Sequence, residues 1–310
     1  MSGPLLAGLL FPRHRPRAET RRSGALLPDA LRVRWLGTAG FVISTPSTTL
    51  VIDPFLSRHN FQQMLLSRLG PNKSEIDRWI AERVDIVACG HSHYDHVIDA
   101  PYLARSKGAK LLGSESTCHW GRFGGVPEGQ LHAVPACGGE VRVGDMRVRL
   151  VPSKHGKAVL GRIPTPGFVT HTPSHDGRLL DYKLGGAFGV YVQTPFGNVY
   201  HNGSADLIDA EIAGLHADVL LVGLAGRRGT ERYLNRLVDA LSPALIVPTH
   251  HDAFFSPVDD GVYLLPRIDV DGFLRDCAIY APRATALTPL YHETICVPAG
   301  DARGSFLARK

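Results

Sequence analysis

The chain lacks the features that staple small proteins. Its five cysteines (Cys89, Cys118, Cys137, Cys277 and Cys296) are scattered through 310 residues and odd in number, and no two form a CxxC pair. That argues against a disulfide framework and a zinc knuckle, and fits a reducing compartment such as the cytoplasm. Long apolar runs are missing too. Stretches such as 219–222 and 244–247 fall far short of the roughly 20 residues a membrane span needs. Internal repeats and low-complexity tracts are absent. With 44% apolar and only 20% charged residues, the chain is not a disordered one and can bury a sizeable core.

The net charge of +5 is not spread over the chain. Residues 1–30 hold five arginines against Glu19 and Asp29, a net of +3, and residues 301–310 have a net of +2. The interval between them is neutral, so nucleic acid is not an expected partner. A short apolar stretch, 5–11, precedes the arginines, the reverse of the order in a secretory signal. Residues 1–30 therefore read as a mobile basic arm, 31–300 as one domain and 301–310 as a tail.

From residue 31 the pattern becomes regular. Short alternating runs at 32–36, 40–44 and 49–53, separated by turn residues, predict an antiparallel meander. A helix is expected over 74–84, with Ser74 as its cap and Ile76, Trp79, Ile80 and Val84 on one face. A buried strand at 84–88 runs straight into Gly90-His91, and a helical pattern covers 101–106. Hairpins follow around Gly144-Asp145 and around 195–198. The last third alternates helices (205–216 and 230–241) with buried strands (218–222 and 245–247). The whole is an α/β chain, a strand-rich half followed by a half with helices between strands. Residues 156–186 fit no regular element, and a loop of that length in a compact domain is usually disordered or functional.

The densest chemical signal is His91-Ser92-His93-Tyr94-Asp95-His96, four ligand-type side chains in six residues directly after a buried strand. Alternation lets His91 and His93 converge on one cation while Asp95 and His96 face a second.

This HxHxDH run resembles the signature of the metallo-β-lactamase superfamily, and the resemblance extends over most of 31–297. It implies an αββα four-layer sandwich with a dinuclear site at one sheet edge. Further motifs match in order. Asp53, in Leu50-Val51-Ile52-Asp53-Pro54, corresponds to an aspartate that supports the site from behind its ligands. His155, in Pro152-Ser153-Lys154-His155, matches the third histidine of the first metal. Asp206, in His201-Asn202-Gly203-Ser204-Ala205-Asp206, resembles the bridging aspartate, although many members carry it directly after the glycine, and Asp209 is an alternative. His250, in Pro248-Thr249-His250-His251, matches the last histidine of the second metal. His251 is then left to line the pocket or donate a proton, and His201 to support the ligands.

By this resemblance the first metal is held by His91, His93, His155 and Asp206, and the second by Asp95, His96, His250 and Asp206. Two divalent ions, Zn²⁺ or else Mn²⁺ or Fe²⁺, would share a water and lower its pKa, and the hydroxide would attack a carbonyl or phosphoryl centre. Asp95 would orient that hydroxide or take its proton. His171, His175 and Tyr182, in the 156–186 loop, are candidate substrate contacts.

His93 departs from the flavodiiron branch, which has glutamate there. The neutral domain departs from ribonuclease Z-like members, which need a basic exosite. A bridging aspartate would argue against the zinc β-lactamases, which generally lack one. Trp35-Leu36-Gly37-Thr38-Ala39-Gly40-Phe41 and Gly203-Ser204-Ala205-Asp206 look most like the branch of ascorbate-6-phosphate lactonase and N-acylphosphatidylethanolamine phospholipase D. That points to hydrolysis of a lactone or phosphodiester in a small or lipid-like substrate. A β-lactamase or promiscuous esterase of the same fold is the alternative, and a non-catalytic metal-binding or nucleic-acid-associated scaffold is the rival from another class.

Overall fold

A computed structural model describes residues 11–14, 29–298 and 307–309. It opens with the expected meander: β1 (Ala30–Gly37), β2 (Gly40–Ser44) and β3 (Thr49–Ile52) pair antiparallel in chain order. Three parallel strands extend it, β4 (Ile86–Ala88), β5 (Lys110–Gly113) and β6 (Leu131–Ala133). The second sheet repeats this plan. Here β7 (Gly139–Val143), β8 (Met146–Pro152), β9 (Phe188–Thr194) and β10 (Gly197–Asn202) are antiparallel. They are followed by parallel β11 (Val219–Gly223), β12 (Leu245–Thr249) and β13 (Thr285–Ala286). Last, β14 (Thr294–Pro298) and β15 (Leu307–Arg309) return to the open edge of the first sheet beside β1.

Strand periodicity explains the layering. Val33 and Trp35 of β1, Phe41 and Ile43 of β2, Val148 and Leu150 of β8, and Val219 and Leu221 of β11 share one core between the sheets. Neighbouring residues face outward under helices: Val51 and Val87 meet the helices over the first sheet, and Leu220, Val222 and Ile246 those over the second. The parallel strands are thus covered on both sides, so they read as continuous apolar runs rather than alternating ones. The result is the expected αββα sandwich.

The local predictions hold at most elements. The hairpin at Gly144-Asp145 has a two-residue turn in which Val143 pairs with Met146, and Gly144 supplies a φ of +55°. Helices Ala100–Lys107 and Tyr233–Leu241 form where helical periodicity was read. The helix expected over 74–84 is instead Lys73–Trp79, and Asn72, not Ser74, accepts from the Glu75 N–H as its cap. The one expected over 205–216 shrinks to a single turn, Asp209–Ile212, because 203–208 are spent routing the chain past His155. Helices Phe61–Leu66, Glu115–Phe123 and Val270–Tyr280 went unread.

Part of each terminal segment joins the fold. Arg13 pairs with Tyr263, and Leu264 N–H donates to the Pro12 carbonyl at 2.8 Å. Leu307–Arg309, in the expected tail, is β15. The remainder of the basic arm, 1–10 and 15–28, lies outside the described residues. All five cysteines are free thiols, with Cys137 exposed and the others buried. Among the described residues no helix is long and apolar enough to cross a membrane.

Candidate metal centre

The site forms where strands of both sheets end on one edge. Asp53 follows β3, His91–His96 follow β4, His155 follows β8, His201 lies in β10 and His250 follows β12. Carboxyl ends of parallel strands are where such crevices open. The backbone there is tied within and across the sheets: Asp53 N–H donates to Ala88 O inside the first sheet, and Phe188 N–H to Gly90 O and His250 N–H to Thr38 O join the two, all at 2.8–2.9 Å. Asp53 (φ +44°) and His250 (φ +52°) sit in the left-handed region, which non-glycine residues enter only when their surroundings hold them.

Two groups of donors result. One ligand atom each from His91, His93 and His155 lie within 4.8 Å of one another, and so do those of Asp95, His96 and His250. In the second group Asp95 Oδ2 is 3.1 Å from His250 Nε2 and 3.7 Å from His96 Nε2. The groups adjoin, with the rings of His91 and His96 only 3.7 Å apart between centroids. The buried Nε2 atoms of His91 and His93 have no protein partner. Orphaned buried polar atoms cost free energy, and a cation is the partner these would accept.

The electrostatics suit that role. Burial, and then the neighbouring histidines, push His91 well below the ordinary imidazole range. Burial likewise lowers His93 to about 3 and His155 to about 4. All three are held as neutral imidazoles, the form that binds metal. Burial works against ionisation of Asp95, but His96 and His250 outweigh it and keep its carboxyl below the usual range.

Orientation comes from behind. Asp53 is fully buried, accepts from the Gly90 N–H at 2.7 Å, and places Oδ2 2.9 Å from His96 Nδ1, leaving His96 Nε2 toward Asp95. His155 Nδ1 lies 2.7 Å from the Gly156 carbonyl, and the backbone of Pro164 is within hydrogen-bonding reach of His93. His201 is buried behind Asp53, its Nδ1 4.0 Å from Oδ2.

The 156–186 loop is built onto the site. Ser92 N–H donates to Leu184 O at 2.9 Å, and its hydroxyl to Lys183 O at 2.6 Å. Gly185, at φ +69°, runs so close that a β-carbon there would stand 2.3 Å from Ser92 Oγ.

Six of the expected residues lie outside the two donor groups. Asp206 joins neither group: its Oδ1 accepts from Leu207 N–H at 2.8 Å, and its charge acts on Tyr233 and Arg236. Directly after Gly203 stands Ser204, whose buried hydroxyl donates to Lys154 O at 3.0 Å. Asp209, the alternative, pairs with Arg236. His251 neither lines a pocket nor offers a proton, because its ring is fully buried, stacked on Trp35 with centroids 4.8 Å apart, and lowered to about 4 by burial. Tyr182 is core: it stacks on Trp120 at 4.2 Å and donates to Leu69 O at 2.8 Å. His171 and His175 are exposed, and His175 Nδ1 is 2.5 Å from Arg68 Nη1. Sequence reasoning missed Ser92, which anchors the loop, and the buried Arg58–Asp252 pair, 2.7 Å apart. Asp252 stands two residues after His250, and that proximity was the available signal.

Comparison with known proteins agrees with this geometry. Residues 32–250 match the family model of the β-lactamase superfamily domain. A UPF0173 metal-dependent hydrolase from Anaeromyxobacter sp. (strain K) is 28% identical over 232 residues, covering 72% of this chain and 75% of that protein. Another from Pyrobaculum arsenaticum is 27% identical over 230 residues, covering 72% and 85%. Among solved structures, Igni18, a metallo hydrolase from Ignicoccus hospitalis, superimposes with a TM-score of 0.58 at 18% identity, over 86% of this chain and 98% of that one. The isothiocyanate hydrolase from Delia radicum gut bacteria gives 0.53 at 16%, over 86% and 100%. At such identities the structural likeness shows the fold alone. The chain belongs to the metallo-β-lactamase superfamily and is a metal-dependent hydrolase.

Proposed function

We propose that this hydrolase works with two divalent cations, Zn²⁺ foremost, one held by His91, His93 and His155 and the other by Asp95, His96 and His250. The observation that carries the reading is the adjacency of two three-donor groups whose rings meet at His91 and His96. A metal pair of this kind acidifies a water and polarises the bond to be cut. The chain's own part is to keep His91, His93 and His155 neutral and Asp95 ionised, and to fix His96 through Asp53. Asp95, whose Oδ2 lies between His96 and His250, would orient the water or take its proton as well as holding the second ion. The loop anchored through Ser92 covers His93 with Pro164 and limits access of bulk water.

The substrate is a lactone or phosphodiester, following the resemblance of the Trp35–Phe41 motif to the lactonase and phospholipase D branch. A β-lactam is the second reading, and the placement of Asp206 favours keeping it. The zinc β-lactamases generally lack a bridging aspartate, and here Asp206 stands outside both donor groups. One preparation loaded with Zn²⁺ and assayed for metal content tests all of this, with an aryl phosphodiester, an acyl lactone and a cephalosporin as substrates and His93→Ala as control. Two ions per chain and one substrate cleaved only by the wild type are expected. Fewer than two ions and no turnover would favour the scaffold reading.

A further inference from the structure

Single exposed apolar side chains are ordinary on a protein surface, and contiguous ones mark a binding face. Among the described residues, most of the strongly exposed large apolar side chains belong to two segments, the helix Phe61–Leu66 and the 156–186 loop. The loop starts directly after His155, and the helix is linked to His250 through two phenylalanines. On one side an aromatic run leads outward from His250: Phe254 lies 5.9 Å from its ring, Phe255 4.5 Å from Phe254, and Phe61 5.6 Å from Phe255. Phe61 is 58% exposed at the outer end. On the other side the chain leaves His155, doubles back where Val159 and Arg162 bond to each other, and passes Pro164 beside His93. The tip of that turn is Leu160, 93% exposed and at φ +48°.

We infer that the substrate carries an extended apolar chain, alkyl or aryl, which leaves the donor groups along Phe254, Phe255 and Phe61 and has Leu160 on its other rim. This rests on the hydrolase reading above and deepens it to an amphiphilic ester or lactone. The occupant is the chain of a single substrate molecule, because the aromatic run is continuous with His250. A bilayer surface, for which Arg68, Lys157 and Arg162 beside the same segments supply basic residues, is the outcome the vesicle arm of the test decides.

The test is a series of lactones with side chains of two, six and ten carbons, each below its aggregation concentration, with the Zn²⁺-loaded protein. The wild-type ratio of kcat/KM between the ten- and two-carbon members is expected on the order of 100, well under the roughly fourfold per methylene of complete burial. Leu160→Asp and Phe61→Ser should each cut that ratio about tenfold. Ile279→Ser, on an exposed residue of the C-terminal helix, should leave it unchanged. A wild-type ratio near one, or one indifferent to both rim substitutions, overturns the inference. Calorimetric titration with decanoate and hexanoate separates the two readings. Tighter binding of decanoate that Leu160→Asp abolishes supports the apolar path even where no lactone is cleaved, and in that case the hydrolase substrate has been misjudged. Equal binding of both acids overturns the path even where lactones turn over. Sedimentation with phosphatidylcholine vesicles that depends on Leu160, without chain-length preference in solution, overturns it in favour of a membrane surface.

Discussion

Arg58 and Asp252 meet at 2.7 Å with both side chains buried, and this pair fastens the loop that carries His250. Asp252 also accepts from the Tyr291 hydroxyl at 2.7 Å and from the Thr38 N–H at 2.9 Å. Thr38 in turn accepts through its carbonyl from the His250 N–H and the Thr249 hydroxyl. The carboxylate thus ties the end of β12 to the β1–β2 turn. Removing one partner of a buried pair leaves the other charge uncompensated, at about 3–5 kcal/mol. Arg58→Met should lose about that much stability in urea denaturation. It should also bind its second metal ion more weakly than its first. A variant as stable as the wild type would remove Arg58 from this role.

Asp53 would act on the same proposed ion through His96. Its Oδ2 contact with His96 Nδ1 fixes which ring nitrogen faces Asp95, and loss of such a partner typically weakens metal binding about 10–100-fold. Asp53→Ala should show that loss for one of two ions in a chelator competition, with the other near wild type. Equal weakening of both would mean that Asp53 supports the strand ends rather than His96.

Asp206 separates two accounts of the site. With its carboxylate on Leu207 N–H, Asp206→Asn should keep two ions per chain. Its cost should fall on the packing near Tyr233 and Arg236, visible as a lower Tm. Loss of an ion on metal analysis would restore Asp206 as a ligand.

How much of this was legible follows from the physics of each residue. His91, His93, Asp95 and His96 could be read because they fall within six residues directly after a buried strand, so local geometry alone brings them together. His155 and His250 needed the resemblance, since long stretches of chain separate them from the first motif and only the sandwich joins them. Asp206 stands outside both donor groups where Ala205 adopts a φ of +58°, and sequence spacing carries no trace of one left-handed residue. His251 looked available because it adjoins His250, yet the chain turns at His250 (φ +52°) and the His251 ring packs into the core against Trp35. The layered fold was the most legible part, written in alternating and continuous apolar runs. The helix Glu115–Phe123 was not, because its inward residues are mostly small or polar (Ser116, Thr117, Cys118, Gly121) and give little periodic signal.

Acid stability offers a test away from the metal groups. His292 lies flat on Trp79, ring centroids 3.6 Å apart, and burial, then Arg34 and Arg58, lowers it to about 3. An unfolded histidine titrates near 6.5, so below that pH the unfolded chain binds a proton that the folded one refuses. The stability linked to His292 is therefore fully present above about pH 6.5 and is lost progressively as pH falls toward 3. His292→Asn tolerates the residue's φ of +61° and cannot titrate. Its Tm at pH 8 should be lower, for want of the stack, but should fall less steeply between pH 6.5 and 4 than the wild type's. Parallel curves would mean that His292 titrates normally.

Tyr182 decides whether the 156–186 loop meets substrate with its aromatic residue or only rests on it. Its ring is sandwiched in the core against Trp120, and its hydroxyl is spent on the Leu69 carbonyl, which ties the loop to the chain just after the helix Phe61–Leu66. Tyr182→Phe removes one buried hydrogen bond and leaves the Leu69 carbonyl without that donor, a loss of about 1–3 kcal/mol. The expected outcome is a lower denaturation midpoint with KM unchanged for whichever substrate is cleaved. A raised KM at unchanged stability would put Tyr182 back among the substrate contacts, and would require the loop to open far enough to expose it during turnover.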